Sequence, residues 1–195
     1  MKHTAYISGT EKKNNGFFLL CLAEIIGIII GSCIAVSCRD NEMLRHNISP
    51  ALYGATLLEI FRSTLVSSLI FIIVAFFSGL FAFGQVMGIV LIVIKGMEIG
   101  LSSAFVYAEK GLYAFPAVMV LNVPKAVALS AIAVLAVREV WRSSSAVLHF
   151  LVSGEHSSEQ VSLKLYCVKY IVLIVIIFII SMADSLMNYI FAGLL

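Results

Sequence analysis

Charge is scarce in this 195-residue chain: 13 Lys and Arg and 11 Asp and Glu make up 12% of it, where a soluble domain carries about a quarter. Proline occurs three times and tryptophan once. Cysteine is limited to Cys21, Cys33, Cys38 and Cys167, with no C-x-x-C pair, which excludes a disulfide-stapled secreted domain and a cysteine zinc knuckle. The four histidines (His3, His46, His149 and His156) all lie outside the apolar blocks, so no block holds a general base beside a serine. A net charge of +2 leaves no broad basic field, and no nucleic acid partner is expected. H-E-x-x-H, P-loop and G-x-S-x-G motifs are absent, and the apolar blocks contain a single aspartate, too few for an aspartyl dyad. Catalytic residues, a metal and a cofactor are therefore not expected.

What the chain has is apolar residues, 61% of the total, with a mean hydropathy of +1.05. They fall in blocks of about 20, the length of helix that crosses a bilayer core. Five such blocks stand out, at residues 17–37, 64–83, 85–107, 112–137 and 171–190. Helix is the expected form, because lipid offers the backbone no hydrogen-bond partners and period-2 alternation is missing. The expected fold is an all-α, polytopic membrane bundle of about five spans in one domain, with the lipid bilayer as its first partner.

Two stretches remain. Residues 39–63 read as a charged turn followed by a short surface helix from Ser49-Pro50, with Leu52, Leu57, Leu58 and Phe61 on its apolar side. Residues 138–170 read as an interfacial helix around Trp141, a polar loop and a lead-in to the last span. Seven basic residues (Lys2, Lys12, Lys13, Arg138, Arg142, Lys164 and Lys169) fall on one side of this arrangement, against Arg39, Arg45, Arg62 and Lys110 on the other. The positive-inside rule then puts the amino terminus in the cytoplasm and the carboxyl terminus outside. Ile30-Gly31-Ser32-Cys33 also resembles a lipoprotein cleavage site, although Glu24 is out of place in a signal peptide.

Inside the blocks lie Glu24, Lys95, Glu98, Lys125 and Asp184. Each costs about 2.5–3.5 kcal/mol at mid-span, so each is expected to face the bundle interior and to pair. Lys95 and Glu98, at i and i+3, can pair locally; Glu24 and Asp184 are the other candidate partners of Lys95. Three roles fit such a polar layer: structural glue, a surface for docking protein, or a path for ions. Gly27 and Gly31 form one row of small residues, and Gly96 and Gly100 another, which lets helix backbones approach closely. Asn122-Val-Pro124-Lys125 should break the fourth span, with Asn122 and Lys125 placed to satisfy the groups that Pro124 frees.

Lys95-Gly96…Gly100, the short turn with Tyr107 and Gly111, the Pro124 break and Ser181-Met-Ala-Asp184 together resemble the stage II sporulation protein M family, over residues 58–188. Gly84-Gln85 replaces a turn proline frequent in that family, and Asp184 replaces its more usual glutamate. The resemblance implies a non-enzymatic bacterial scaffold. In that role it would hold the peptidoglycan-degrading stage II sporulation proteins D and P at the septal membrane of the mother cell during engulfment. Arg39, Asp40, Glu42 and Arg45 would be the side chains available to dock such a partner. The competing expectation is a small transporter, or the membrane subunit of one, with an intramembrane charged path.

Overall fold

The computed structural model describes residues 2–38, 56–153 and 163–191. Five long helices carry them: α1 (Lys2–Ser37), α2 (Leu57–Ser78), α3 (Gly84–Lys110), α4 (Val123–Ser153) and α5 (Leu163–Ile190). No strand occurs among the described residues. The segments Gly16–Ser37, Leu57–Ser78, Gly84–Ala108, Val118–Leu148 and Leu163–Ile190 are each long and apolar enough to cross a membrane. Burial runs opposite to that of a soluble domain. Phe18, Ile29, Ile70, Phe77, Ile171 and Ile179 face outward, while Lys95, Ser144, Ser181 and Ser185 are buried. Only a solvent as apolar as lipid makes that distribution stable. The chain is an all-α, multi-pass membrane protein.

Several helix ends differ from the sequence expectation, each for a local reason. The second span starts at Leu57 rather than residue 64, so Leu57, Leu58 and Phe61 belong to its first turns and not to a separate surface helix. Thr56 and Glu59 form a capping box there: the Thr56 amide donates to Glu59 Oε2 at 2.8 Å and the Glu59 amide to Thr56 Oγ1 at 3.4 Å. At its other end α2 stops at Ser78, and residues 79–83 make a compact turn into α3. The helix around Trp141 is the continuation of α4, not an interfacial helix of its own. Residues 125–153 contain neither glycine nor proline, so nothing interrupts it. Likewise α5 begins at Leu163, eight residues before the expected start, and carries Lys169 within it. Arg39, Asp40, Glu42 and Arg45 lie outside the described residues.

The bundle is built on a parallel pair, α1 and α3. A Cβ on Gly27 would fall on the Val93 carbonyl and one on Gly31 on the Met97 carbonyl. From the other side, a Cβ on Gly96 would fall on the Glu24 carbonyl and one on Gly100 on that of Ile28. The two small-residue rows thus pack against each other within one chain, main chain on main chain. The antiparallel pair α2 and α5 closes the other side of the core, where Phe71, Ile72 and Ala75 meet Leu173 and Ile177. At the end of the bundle marked by Trp141, α4 latches the α2–α3 turn. Trp141 Nε1 donates to the Gln85 carbonyl (2.9 Å), Ser144 Oγ to that of Ala82 (2.9 Å), and Gln85 Nε2 to Ser145 Oγ (2.8 Å). Tyr166 donates to the Phe76 carbonyl at 2.8 Å, and the missing side chain of Gly79 leaves room for its hydroxyl.

The seam makes a sharp expectation. Gly31→Val and Gly100→Val should each cost more than the roughly 1–3 kcal/mol of ordinary core overpacking, because the obstacle is backbone that cannot rotate away. Gly16→Ala should be neutral, since its added Cβ would meet Trp141 Cζ3 at an ordinary 3.4 Å. Monodisperse yield in mild detergent, with Trp141 as the sole tryptophan fluorophore, reads both.

Candidate functional site: an intramembrane polar network

Two ion pairs anchor a polar network in the bundle. On α3, Lys95 Nζ sits 2.7 Å from Glu98 Oε2, across one helical turn. Lys95 is 2% exposed, and its ammonium lies 6.0 Å from the centroid of the Phe71 ring. From α2, Ser67 donates to the other oxygen of Glu98 at 2.7 Å. The second pair joins α4 to α5, with Lys125 Nζ 2.8 Å from Asp184 Oδ2. Thr64 of α2 sits between them, accepting from Lys125 at 2.9 Å and donating to Asp184 at 2.9 Å. Asn188 Nδ2, one turn beyond Asp184, donates to its Oδ1 at 3.0 Å and to its backbone carbonyl at 2.8 Å. Thr64 and Ser67 are three residues apart on α2, so that helix connects both pairs and the network ties four helices together.

Asn122 lies in a π-helical turn, Val118–Asn122, that directly precedes α4. A wider turn fits here, because Pro124 has no N–H to offer the carbonyl four residues back. The expectation that Asn122 and Lys125 satisfy the groups freed by Pro124 does not hold. Asn122 Nδ2 donates to Ser103 Oγ at 2.9 Å and its Oδ1 accepts from Ser102 at 3.4 Å, while Lys125 reaches Thr64 and Asp184. Side chains on neighbouring helices hold both.

Glu24 is the other correction. It faces the interior, at 5% exposure, yet forms no ion pair among the described residues, and its Oε1 has no hydrogen-bond partner there. The reason is placement. Its backbone carbonyl packs against Gly96, on the α1–α3 seam, while Lys95 is already held by its own helix neighbour. Ser68 and Ser181 are likewise buried, with no partner for their hydroxyls among the described residues. They stand one turn from Thr64 and from Asp184 respectively, deeper along the antiparallel α2–α5 pair.

Sequence reasoning missed Thr64, Ser67 and Asn188. Their signal was spacing, since Thr64/Ser67 at i, i+3 and Asp184/Asn188 at i, i+4 each place two polar groups on one face of an apolar helix. It also missed the pair between Lys169 Nζ and Glu139 Oε2 (2.7 Å), which joins α5 to α4 near the Trp141 end.

Fold and site together define a polytopic helical membrane protein with a largely self-paired polar network in its core. No family model, curated protein or solved structure matches the chain, so the resemblance to stage II sporulation protein M stands on the quoted residues alone.

The second pair yields an asymmetric expectation. The Asp184 side chain is 2% exposed and that of Lys125 27%. Lys125→Leu strands a buried carboxylate and should cost about 3–5 kcal/mol, the usual result of breaking a buried pair. Asp184→Leu should cost less, because a lysine has a long stem with which to carry its charge toward the interface. The double variant should recover most of the loss. Thermal aggregation midpoints of the four proteins in one detergent check the order.

Proposed function

We propose that the protein is a non-enzymatic membrane scaffold of the kind the sequence resemblance implies. It would hold the peptidoglycan-degrading stage II sporulation proteins D and P at the septal membrane during engulfment. The observation that carries the scaffold reading is the closure of the charges on one another. Lys95 is bound to Glu98 and Lys125 to Asp184, with Ser67, Thr64 and Asn188 taking up the remaining carboxylate oxygens. A network satisfied in this way fixes helices in register, and of the five intramembrane charges only Glu24 stays outside it among the described residues. The partner assignment itself has its support in the resemblance.

A scaffold for wall-cleaving enzymes meets them outside the cytoplasm, so residues 39–55 must be external and the amino terminus internal, in keeping with the seven-to-four basic bias. In a variant keeping only Cys38 of the four cysteines, a membrane-impermeant maleimide should label intact cells. Labelling that requires permeabilisation reverses the orientation and removes the docking segment from its partners.

The second reading, transport, is favoured by a specific feature: Glu24 Oε1 and the hydroxyls of Ser68 and Ser181 are buried and have no hydrogen-bond partner among the described residues. One pair of measurements separates the two. Under the scaffold reading, Arg39→Glu with Arg45→Glu leaves the amount of protein unchanged but cuts co-purification with a wall-cleaving enzyme several-fold, and proteoliposomes carry no ion flux. Flux that disappears in Lys95→Leu or Lys125→Leu overturns the scaffold in favour of the transporter.

A further inference from the structure

The lipid-facing surface is not uniform. Between the carboxyl-terminal half of α2 and the amino-terminal half of α5 lies an apolar groove of about 240 Å³, floored by Ile72 and Phe76 and walled by Cys167, Ile171 and Ile174. That is below the roughly 300–1,000 Å³ of a drug-sized pocket, so the groove suits a slender chain rather than a bulky ligand. Tyr170 also lines it but brings no polarity, because its hydroxyl is turned inward to the Ala136 carbonyl at 3.1 Å.

Three of the groove residues, Cys167, Ile171 and Ile174, lie on one stripe of α5 at i, i+4 and i+7. One turn before Cys167 the same stripe reaches Lys164, which is exposed and pairs with no acid among the described residues. Its neighbour Lys169 differs, since Glu139 neutralises it. From Lys164 to Ile174 is ten residues, about 15 Å of helix. That is half of a hydrocarbon core about 30 Å thick, the depth of one leaflet. The 28 residues of α5 span about 42 Å, which places Lys164, its second residue, at headgroup level.

We propose that this groove is a binding site for one anionic phospholipid, with an acyl chain along Cys167, Ile171 and Ile174 and the phosphate on Lys164. A cation at headgroup level with no acid partner among the described residues stands above an apolar slot that runs about 10 Å along α5, and the two together match the two ends of that molecule, charge and length. A second copy of the chain, or a partner helix, would fill the slot but has no use for the lysine. The inference holds equally for a scaffold and for a transporter.

The test is native mass spectrometry of the full chain, released from detergent after exchange with phosphatidylglycerol or phosphatidylcholine of matched chains. The wild type is expected to retain one phosphatidylglycerol at least several-fold better than phosphatidylcholine. Lys164→Gln should erase the preference and Lys164→Arg keep it. Ile174→Phe, which fills the slot, should reduce retention of both lipids; Ile171→Phe, at a position 60% exposed, serves the same purpose with less risk to folding. Equal retention of the two lipids by the wild type overturns the proposal. So does an undiminished preference in Lys164→Gln, or a dimer that Ile171→Phe dissociates while lipid retention stays unchanged.

Discussion

A charge carried into a membrane span needs a counter-charge on protein beside it, or it carries its desolvation cost uncompensated. In this bundle that requirement is met twice, by Lys95 with Glu98 and by Lys125 with Asp184, and the way it is met sets much of the helix arrangement. The first pair is local to α3 and leaves that helix free to seek close packing. The second spans α4 and α5 and needs Thr64 of α2 to complete it, so three helices must converge at one place. Charge pairing alone does not hold α1. That helix is fixed by shape, through glycine rows that bring its main chain against that of α3.

The two devices explain each other's location. Close backbone approach is possible only where side chains are absent, so the α1–α3 seam has little room for a charged pair. Glu24 sits on that seam, buried and without an ion-pair partner among the described residues, because the geometry that packs α1 so tightly denies it a lysine. On the α2–α5 side the helices present Thr64, Ser68, Ser181 and Asp184 to one another, and polar side chains do what glycine does opposite. The α1–α3 half is held by close main-chain contact, and the α2–α5 half by apolar packing to which hydrogen bonds such as Thr64 to Asp184 are added.

Much of this was legible in the sequence. Block length gave five membrane helices, since about 20 apolar residues have few other stable uses. The Lys95–Glu98 pair and the two glycine rows follow from helical spacing; that the rows face each other does not. The helix ends were harder. Glu59, Arg62, Arg138, Glu139 and Lys169 look like loop residues by hydropathy, yet all five are helical, two of them as a pair across α4 and α5. Capping at Thr56-Leu-Leu-Glu59 was the overlooked boundary signal. Contacts between distant helices, such as Lys125 with Asp184 or Trp141 with Gln85, depend on how helices rotate about their own axes. One sequence does not encode that in any periodic pattern.

The distribution of satisfied and unsatisfied groups bears on function more directly than the charges do. A conducting path needs polar atoms whose partners change as the ion moves, and paired lysines bound at 2.7 and 2.8 Å are poor candidates for that work. If any path exists, its elements are the atoms left over: Glu24 Oε1 beside the α1–α3 seam, and Ser68 and Ser181 between α2 and α5. These lie on different helix pairs, with the Lys95–Glu98 pair belonging to the helix that adjoins Glu24. A continuous route would therefore have to open either the glycine seam or an ion pair, and each is among the costliest contacts in the bundle to break. The proposed scaffold role needs neither of them to open.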